Sequence, residues 1–240
     1  MGTQACRSSI AKAFLLKKIY KILFRSFGPQ NWWPARTPFE VMVGAILVQN
    51  TNWKNTKRAI DHLRARHLLT AKKMNAANLK TLASCIRSAG YFNVKAKRLR
   101  NFLVFFIAGY GADIKKMRAQ EGAQLRNELL EVHGIGPETA DSILLYALCK
   151  PFFVVDAYTK RIFLRHGIIK KDASYDTIQK MFKQHLACDV QLYNEYHALI
   201  VKVAKDFCRT KPLCEQCPLR CLFDQKALQE KDGSIRTKNL

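Results

Sequence analysis

The chain has 240 residues, and its 41 Lys and Arg against 18 Asp and Glu give a formal net charge of +23. The excess is concentrated in residues 1–120, with 23 basic and 3 acidic side chains, whereas residues 121–240 carry 18 and 15. A hydrophobic content of 48% excludes a disordered basic tail. A folded protein with this charge most often binds a polyanion, and nucleic acid is favoured over a membrane surface.

The sequence contains no segment that predicts a membrane span. The longest apolar stretch, Val41–Val48, is far shorter than the roughly 20 residues that a spanning helix needs. We therefore expect no membrane partner and a cytoplasmic, nucleoid-associated location. In such a reducing compartment, clustered cysteines are metal ligands more often than disulfides.

Helical patterning runs through almost the whole chain, so the predicted fold class is all-α. Residues 37–40, Thr-Pro-Phe-Glu, form a helix start signal, with Thr37 as N-cap and Glu40 reaching back in a capping box. The apolar run to Val48 predicts a helix in the centre of the core, followed by a polar segment, Gln49–Trp53. From Lys54 to Arg100, 13 basic residues and one acidic residue lie among helical apolar positions.

The segment His133-Gly134-Ile135-Gly136 lies between two predicted helices and is the strongest local signal. Two glycines around one aliphatic residue permit a tight hairpin with Ile135 packed inward. Pro137 then begins a helix whose free amides and dipole suit a DNA phosphate. Taken alone, a simple glycine-rich turn between helices explains the segment as well.

The helix after the hairpin is expected to end at Lys150-Pro151. A short β-branched run, Phe152–Val155, leads to Asp156, which is well placed to cap the next helix. Further helices are predicted around Tyr175–Leu186 and Tyr193–Phe207.

Four cysteines follow these helices within fourteen residues: Cys208, Cys214, Cys217 and Cys221. Four thiolates suit either a [4Fe-4S] cluster or a structural zinc ion. Zinc sites usually pair two C-x-x-C motifs, and this segment contains one. One such motif is a poor match to a zinc site, and both assignments stay open on the residues alone.

Residues 132–165 resemble the helix-hairpin-helix DNA glycosylases of the endonuclease III superfamily, in which a hairpin, a helix and a short extended run precede an aspartate. Pro38–Trp53 resembles the core helix and glutamine-bearing loop of that family, and Ala89–Lys97 its G-[YF]-[YF]-N-x-K-A turn. The family places the cysteines of its cluster after a segment like Asn194–Ala198, with longer first and third gaps. The resemblance therefore implies a [4Fe-4S] cluster held by the four cysteines, with structural zinc as the alternative. The resemblance covers about Phe27–Cys221.

The resemblance implies a bilobed all-α fold. One lobe is expected to be a six-helix barrel with the hairpin, at residues 30–146. The other is expected to combine residues 1–29 with residues 147–240 and to carry the cysteine cluster. A monomer is the implied state.

The activity implied by the resemblance is the flipping of a damaged nucleotide out of double-stranded DNA and hydrolysis of its glycosidic bond, in base excision repair. Asp156 is the expected catalytic residue, because a fixed anion stabilises the cationic character that develops at C1′. A plain N-cap is the alternative, and both roles can coexist. The expected DNA contacts are Gln49, which fills the gap left by the flipped nucleotide, and Asn50, Thr51, Lys95, Lys97, His133, Gly134, Ile135, Gly136 and Thr139.

Members of the family that also cut the DNA strand carry a lysine four residues after the first hairpin glycine, where it forms a Schiff base. This chain has Glu138 at that position, and a carboxylate cannot form an imine. The substitution predicts a monofunctional glycosylase, unless Lys95 or Lys160 replaces the missing lysine.

Trp33 and Trp53 fall at positions that match the 3-methyladenine DNA glycosylase III branch, whose pocket holds an alkylated purine between aromatic rings. An N-methylated purine is cationic and is attracted to a ring face. The expected base pocket therefore consists of Trp33, Trp53 and Glu138. Two alternatives stay open: an endonuclease III-like glycosylase and AP lyase for oxidised pyrimidines, and a non-catalytic hairpin protein that binds damaged DNA.

Overall fold

The computed structural model describes residues 2–222, with side chains from residue 11 onwards, and this part of the chain contains helices and no strand. The all-α prediction is confirmed. None of the described helices is long and apolar enough to cross a membrane. The α-helices are α1 Gly2–Phe27, α2 Pro38–Leu47, α3 Trp53–Ala65, α4 Ala71–Ala76, α5 Leu79–Cys85, α6 Phe92–Tyr110, α7 Ile114–Ala119, α8 Gly122–Glu131, α9 Pro137–Ser142, α10 Ala157–Arg165, α11 Tyr175–His185 and α12 Val190–Asp206.

Shorter helical segments join or extend these elements. A π-helical segment, Ile143–Ala147, continues α9. Short 3₁₀ helices occur at Arg87–Ala89, Cys214–Gln216 and Pro218–Leu222.

The chain divides into two compact units, which we call the hairpin unit (Trp33–Phe152) and the cysteine unit (Met1–Trp32 with Phe153–Leu240). The predicted boundaries were residues 30 and 146. The second boundary falls later because Leu148 and Phe152 are buried in the core of the hairpin unit. Residues 223–240, which the prediction also assigned to the second domain, lie outside the described residues.

Helix α2 forms the centre of the hairpin unit, as its apolar sequence predicted, with Phe39–Leu47 all buried. The Thr37 hydroxyl accepts a hydrogen bond from the Glu40 amide at 3.2 Å, so the N-cap is confirmed. The capping-box role of the Glu40 side chain is wrong. Its buried carboxylate pairs with Arg64 of α3 at 2.9 Å, because a buried charge needs a charged partner.

The hairpin unit, whose residues are all described, contains the eight α-helices α2–α9. Polar side chains cap the starts of several of them. Asn78 caps α5 by accepting from the Thr81 amide, and Asp113 caps α7 by accepting from the Lys115 amide. Each cap satisfies amides that a helix start leaves unpaired.

The core of the cysteine unit is largely aromatic. Phe153 and Phe182 stack with ring centroids 3.7 Å apart, and Tyr193 and Tyr196 pack edge-on against Phe153. The Tyr196 hydroxyl donates to the carbonyl of Leu16, which ties α12 to α1. The extended segment before α10 is therefore anchored through Phe153, and this anchoring fixes the position of Asp156.

Candidate functional site

Asp156 caps helix α10 and uses its two carboxylate oxygens differently. Oδ1 accepts hydrogen bonds from the backbone amide of Thr159 at 2.7 Å and from its hydroxyl at 2.9 Å. Oδ2 lies 3.6 Å from Nε2 of His197 on α12. The side chain is 12% exposed. The predicted cap is thus confirmed, and one oxygen lies outside the capping bonds.

The surroundings of Asp156 keep it ionised. Burial alone would raise its pKa, but the charge of His197 and the hydrogen bonds from His197 and Thr159 outweigh burial, so the pKa lies below its ordinary value. A partly buried carboxylate that is anionic at neutral pH can stabilise a positive charge that develops beside it.

The hairpin has the backbone geometry that its sequence predicted. Gly134 has φ of +99°, and the Ile135 side chain is 4% exposed within the core. Gly136 is the N-cap of α9, with an ordinary φ of −93°, and Pro137 begins the helix. Asn101 of α6 donates to the carbonyl of His133 at 3.0 Å, which fixes the start of the turn.

Gln49 joins the loop after α2 to the hairpin. Its Nε2 donates to the Gly134 carbonyl at 3.1 Å and to the Thr139 hydroxyl at 2.9 Å. Its Oε1 accepts from the guanidinium of Arg98 on α6. The loop and the hairpin, 85 residues apart in sequence, therefore lie side by side.

The expected DNA contacts divide into exposed and buried groups. Asn50, Lys97, His133 and Gly136 are exposed, and Gly134 and Thr51 are partly exposed. The side chains of Ile135 and Thr139 are 4% and 5% exposed, so the inward packing predicted for Ile135 is observed and Thr139 is buried as well. Ile135 fills the core, and the Thr139 hydroxyl is turned towards Gln49. Only their backbone atoms are left to bind a phosphate.

Lys95, another of the expected DNA contacts, lies inside the hairpin unit. The side chain is 1% exposed, and its Nζ donates to the carbonyls of Leu47 at 2.9 Å and Ala89 at 2.7 Å. Burial, and then the charge of Arg98, lower its pKa to about 8. Lys95 therefore ties the end of α2 to the turn before α6. It is equally unsuited to replace a Schiff-base lysine, because its amine is enclosed.

Trp33 and Trp53 lie together in the hairpin unit with a third ring, Tyr146 of the π-helical segment. The Trp33 ring is 5.1 Å from that of Trp53 at an interplanar angle of 84°, and 5.1 Å from that of Tyr146 at 40°. A Cβ on Gly44 would lie 3.5 Å from both tryptophans, so α2 forms the floor below them. The two tryptophans pack edge to face in this arrangement.

Glu138 lies in the first turn of α9 and is exposed. A carboxylate is favourable at this end of a helix, where the dipole is positive. Lys160, the other candidate replacement for the Schiff-base lysine, is exposed on α10, one turn after Asp156.

The four cysteines lie in the loop after α12. Burial, opposed by a hydrogen bond from the Leu219 amide, raises the pKa of Cys217, and the nearby thiols of Cys208, Cys214 and Cys221 raise it further. Arg165 of α10 donates to Cys208 Sγ at 3.4 Å. Among residues 11–222, no three His, Cys, Asp or Glu side chains are placed to hold a single metal ion. As a donor set, neighbouring thiols with an arginine beside one of them suit a four-thiolate cofactor.

Three residues of these arrangements are not among the site residues that the sequence predicted. His197 is buried and lies beside Asp156. Arg98 donates to Gln49, and Tyr146 packs against Trp33. No sequence spacing relates residues 156 and 197 or residues 33 and 146, so only the packing of helices shows these pairs.

Comparisons with known proteins agree on one family. The family model described as HhH-GPD superfamily base excision DNA repair protein matches residues 43–188. A Methanocaldococcus jannaschii protein that carries the name of a DNA repair glycosylase is 50% identical over 86% of this chain and 94% of its own length. Endonuclease III of Sulfolobus acidocaldarius is 28% identical over 77% of this chain and 81% of its own length.

Solved structures agree with the sequence matches. The 3-methyladenine DNA glycosylase (MagIII) of Helicobacter pylori, bound to 1,N6-ethenoadenine, has a TM-score of 0.68 and 28% identity, covering 82% of this chain and 97% of that one. A non-covalent endonuclease III–DNA complex has a TM-score of 0.77 at 20% identity over 92% of this chain and 98% of that one, and it shows the shared fold.

Proposed function

Because this chain belongs to the HhH-GPD superfamily of base excision DNA repair proteins and is a DNA glycosylase, we propose that it releases alkylated purines from duplex DNA without cutting the strand. The observation that carries the substrate class is the cluster of Trp33, Trp53 and Tyr146 above Gly44. Ring faces attract a cationic methylated purine more strongly than a neutral base. The likeness to a 3-methyladenine glycosylase that binds a modified adenine supports the same class.

The edge-to-face packing of the tryptophans means that a base enters by stacking on one ring or by turning the other aside. Ring rotation of a partly exposed tryptophan leaves α2 undisturbed, because the floor is the backbone of Gly44. Alkylated purines are good leaving groups, so this pocket does not need a strong general acid.

Asp156 is the proposed catalytic residue. Departure of the base leaves positive charge at C1′, and the carboxylate, held ionised by His197 and Thr159, stabilises that charge. It can also orient the water that attacks the sugar. Oδ1 is fixed by the cap, so Oδ2 is the oxygen that remains for this chemistry.

The proposed absence of strand cleavage depends on which residues could supply a Schiff-base amine. Glu138 occupies the Schiff-base position, and the Lys95 amine is buried against its two carbonyl partners. Borohydride reduction during turnover should therefore trap no covalent protein–DNA adduct. An adduct with the wild type that a Lys160→Gln variant lacks would contradict the monofunctional assignment.

We propose that Cys208, Cys214, Cys217 and Cys221 hold a [4Fe-4S] cluster. Bound there, the cluster would support the fold of the loop and its position on DNA, since hydrolysis needs no electron transfer. The single C-x-x-C motif supports this assignment over zinc, whereas the arginine at Cys208 would stabilise a bound thiolate in either case. Purified protein should contain iron and absorb light at about 400 nm, as such clusters do. Colourless protein with stoichiometric zinc would refute the assignment.

The substrate assignment is tested by measuring free base released from methylated DNA and from DNA with thymine glycol, with Asp156→Asn protein as the matched control. Release of methylated purines by the wild type alone is the expected result. Several relatives are named endonuclease III, which makes an oxidised-pyrimidine glycosylase the second candidate. Release from thymine glycol DNA alone would favour that candidate.

A further inference from the structure

Arg98 lies beneath the hairpin and beside the loop that carries Gln49. A Cβ on Gly134 would lie 2.3 Å from Cγ of Arg98, so the arginine stem packs directly against the turn. The guanidinium donates to Oε1 of Gln49. The side chain is partly buried, unlike that of its neighbour Lys97, which is exposed.

The partners of Gln49 fix which way its carboxamide points. Arginine has donors only, so it must meet the amide oxygen, and the Gly134 carbonyl accepts only, so it must meet the amide nitrogen. Removing Arg98 leaves the oxygen end of the amide without this charged donor. The carboxamide could then turn over and lose its bond to the hairpin.

Helix α6 holds the end of α2 at a second point as well. Lys95, one turn before Arg98 on α6, donates to the Leu47 carbonyl. Arg98 donates to Gln49, which follows Leu47 by two residues. The two side chains of α6 thus fix the start of the loop and its glutamine. The hairpin, resting on the stem of Arg98, is held by the same helix.

We propose that Arg98 is a positioning residue that holds Gln49 and the Gly134–Gly136 hairpin in one preassembled DNA-binding surface, rather than a contact to phosphate. The inference rests on the proposed role of Gln49 as a DNA contact. It does not depend on which base the enzyme releases.

The test is a double-mutant cycle of Arg98→Met and Gln49→Ala on a duplex that contains a tetrahydrofuran abasic analogue. Each single variant should raise Kd about tenfold, the scale of one lost charge-assisted hydrogen bond. Because Arg98 acts through Gln49, the double variant should also be weakened about tenfold, rather than a hundredfold.

Lys97→Met is the matched control, because it removes the same charge one residue away. It should lower the slope of log Kd against log salt by about 0.9 and should add fully to Gln49→Ala. Arg98→Met should leave that slope as in the wild type. A slope change equal to that of Lys97→Met would overturn the proposal.

Two other outcomes are decisive. If the losses of Arg98→Met and Gln49→Ala are additive, the proposed role of Arg98 is contradicted and that of Gln49 is not. If Gln49→Ala binds DNA as tightly as the wild type, the role of Gln49 is contradicted and this proposal with it. If Arg98→Met fails to fold, Thr139→Val removes the other side-chain partner of Gln49. Thr139→Val should weaken DNA binding in the wild-type chain and should have no further effect in the Gln49→Ala chain. A further loss of affinity in the Gln49→Ala chain would contradict the proposal.

Discussion

At the scale of single residues, Asp156 shows how one side chain serves folding and chemistry together. Asparagine caps a helix about as well as aspartate, so Asp156→Asn should keep the cap and lower the unfolding free energy at neutral pH by no more than about 1 kcal/mol, through the lost charge interaction with His197. It removes the anion, and base release should fall by about 10²–10³-fold, as for the loss of one preorganised electrostatic group. Single-turnover release and urea denaturation check the two parts. Unchanged base release would show that Asp156 acts only as a helix cap.

The lowered pKa of Asp156 predicts a pH dependence of stability. The ionised carboxylate stabilises the folded state above the unfolded pKa of about 4, and this contribution is lost as the pH falls through the lower folded value. Between about pH 4 and pH 2, the wild type should therefore lose more unfolding free energy than Asp156→Asn. Urea titrations at several pH values measure the unfolding free energy of both proteins. If the two free energies change with pH in parallel, the carboxylate is not stabilised by His197 and Thr159.

At the scale of elements, the two hairpin glycines are required for different reasons. A Cβ at Gly134 meets Arg98 at 2.3 Å in a conformation with φ of +99°, whereas a Cβ at Gly136 meets nothing within 4 Å. Gly134→Ala should therefore destabilise the fold by about 1–3 kcal/mol. Gly136→Ala should change stability by less than about 0.5 kcal/mol and still weaken DNA binding, if a phosphate approaches its backbone. Thermal unfolding and DNA titration separate the effects, and equal destabilisation by both variants would contradict this distinction.

Lys95 acts on the packing of α2 against α6. Lys95→Met leaves the Leu47 and Ala89 carbonyls without their buried donor and should lower the unfolding free energy by about 1–3 kcal/mol. The salt slope of DNA binding should stay unchanged, because the ammonium is enclosed. Urea denaturation and fluorescence titration at two salt concentrations measure both quantities. A shallower salt dependence of DNA binding in Lys95→Met would show that Lys95 does contact phosphate.

At the scale of the whole molecule, the charge of +23 predicts DNA binding with a steep salt dependence. Of the 13 basic residues from Lys54 to Arg100, nine are exposed, while Arg64, Lys95, Arg98 and Arg100 are wholly or partly buried with hydrogen-bond partners. Affinity for undamaged duplex should fall by orders of magnitude between roughly 50 and 200 mM salt. The pair Lys72 and Lys73, both exposed on α4, gives a direct check: if both contact phosphate, converting both to Gln should reduce the slope by about 1.8. An affinity independent of salt would contradict an electrostatic role for this face.

The sequence by itself determined the all-α class, the buried helix after Thr37, the hairpin and the Asp156 cap. Each of these depends on local rules, such as apolar periodicity, glycine conformation and the reach of a capping side chain over three residues. The tertiary structure decided the rest. It buried Lys95, turned Thr139 towards Gln49, placed His197 beside Asp156 and packed Trp33 edge-on against Trp53. These contacts join residues tens of positions apart, and packing decides which charged group is enclosed and which meets the solvent.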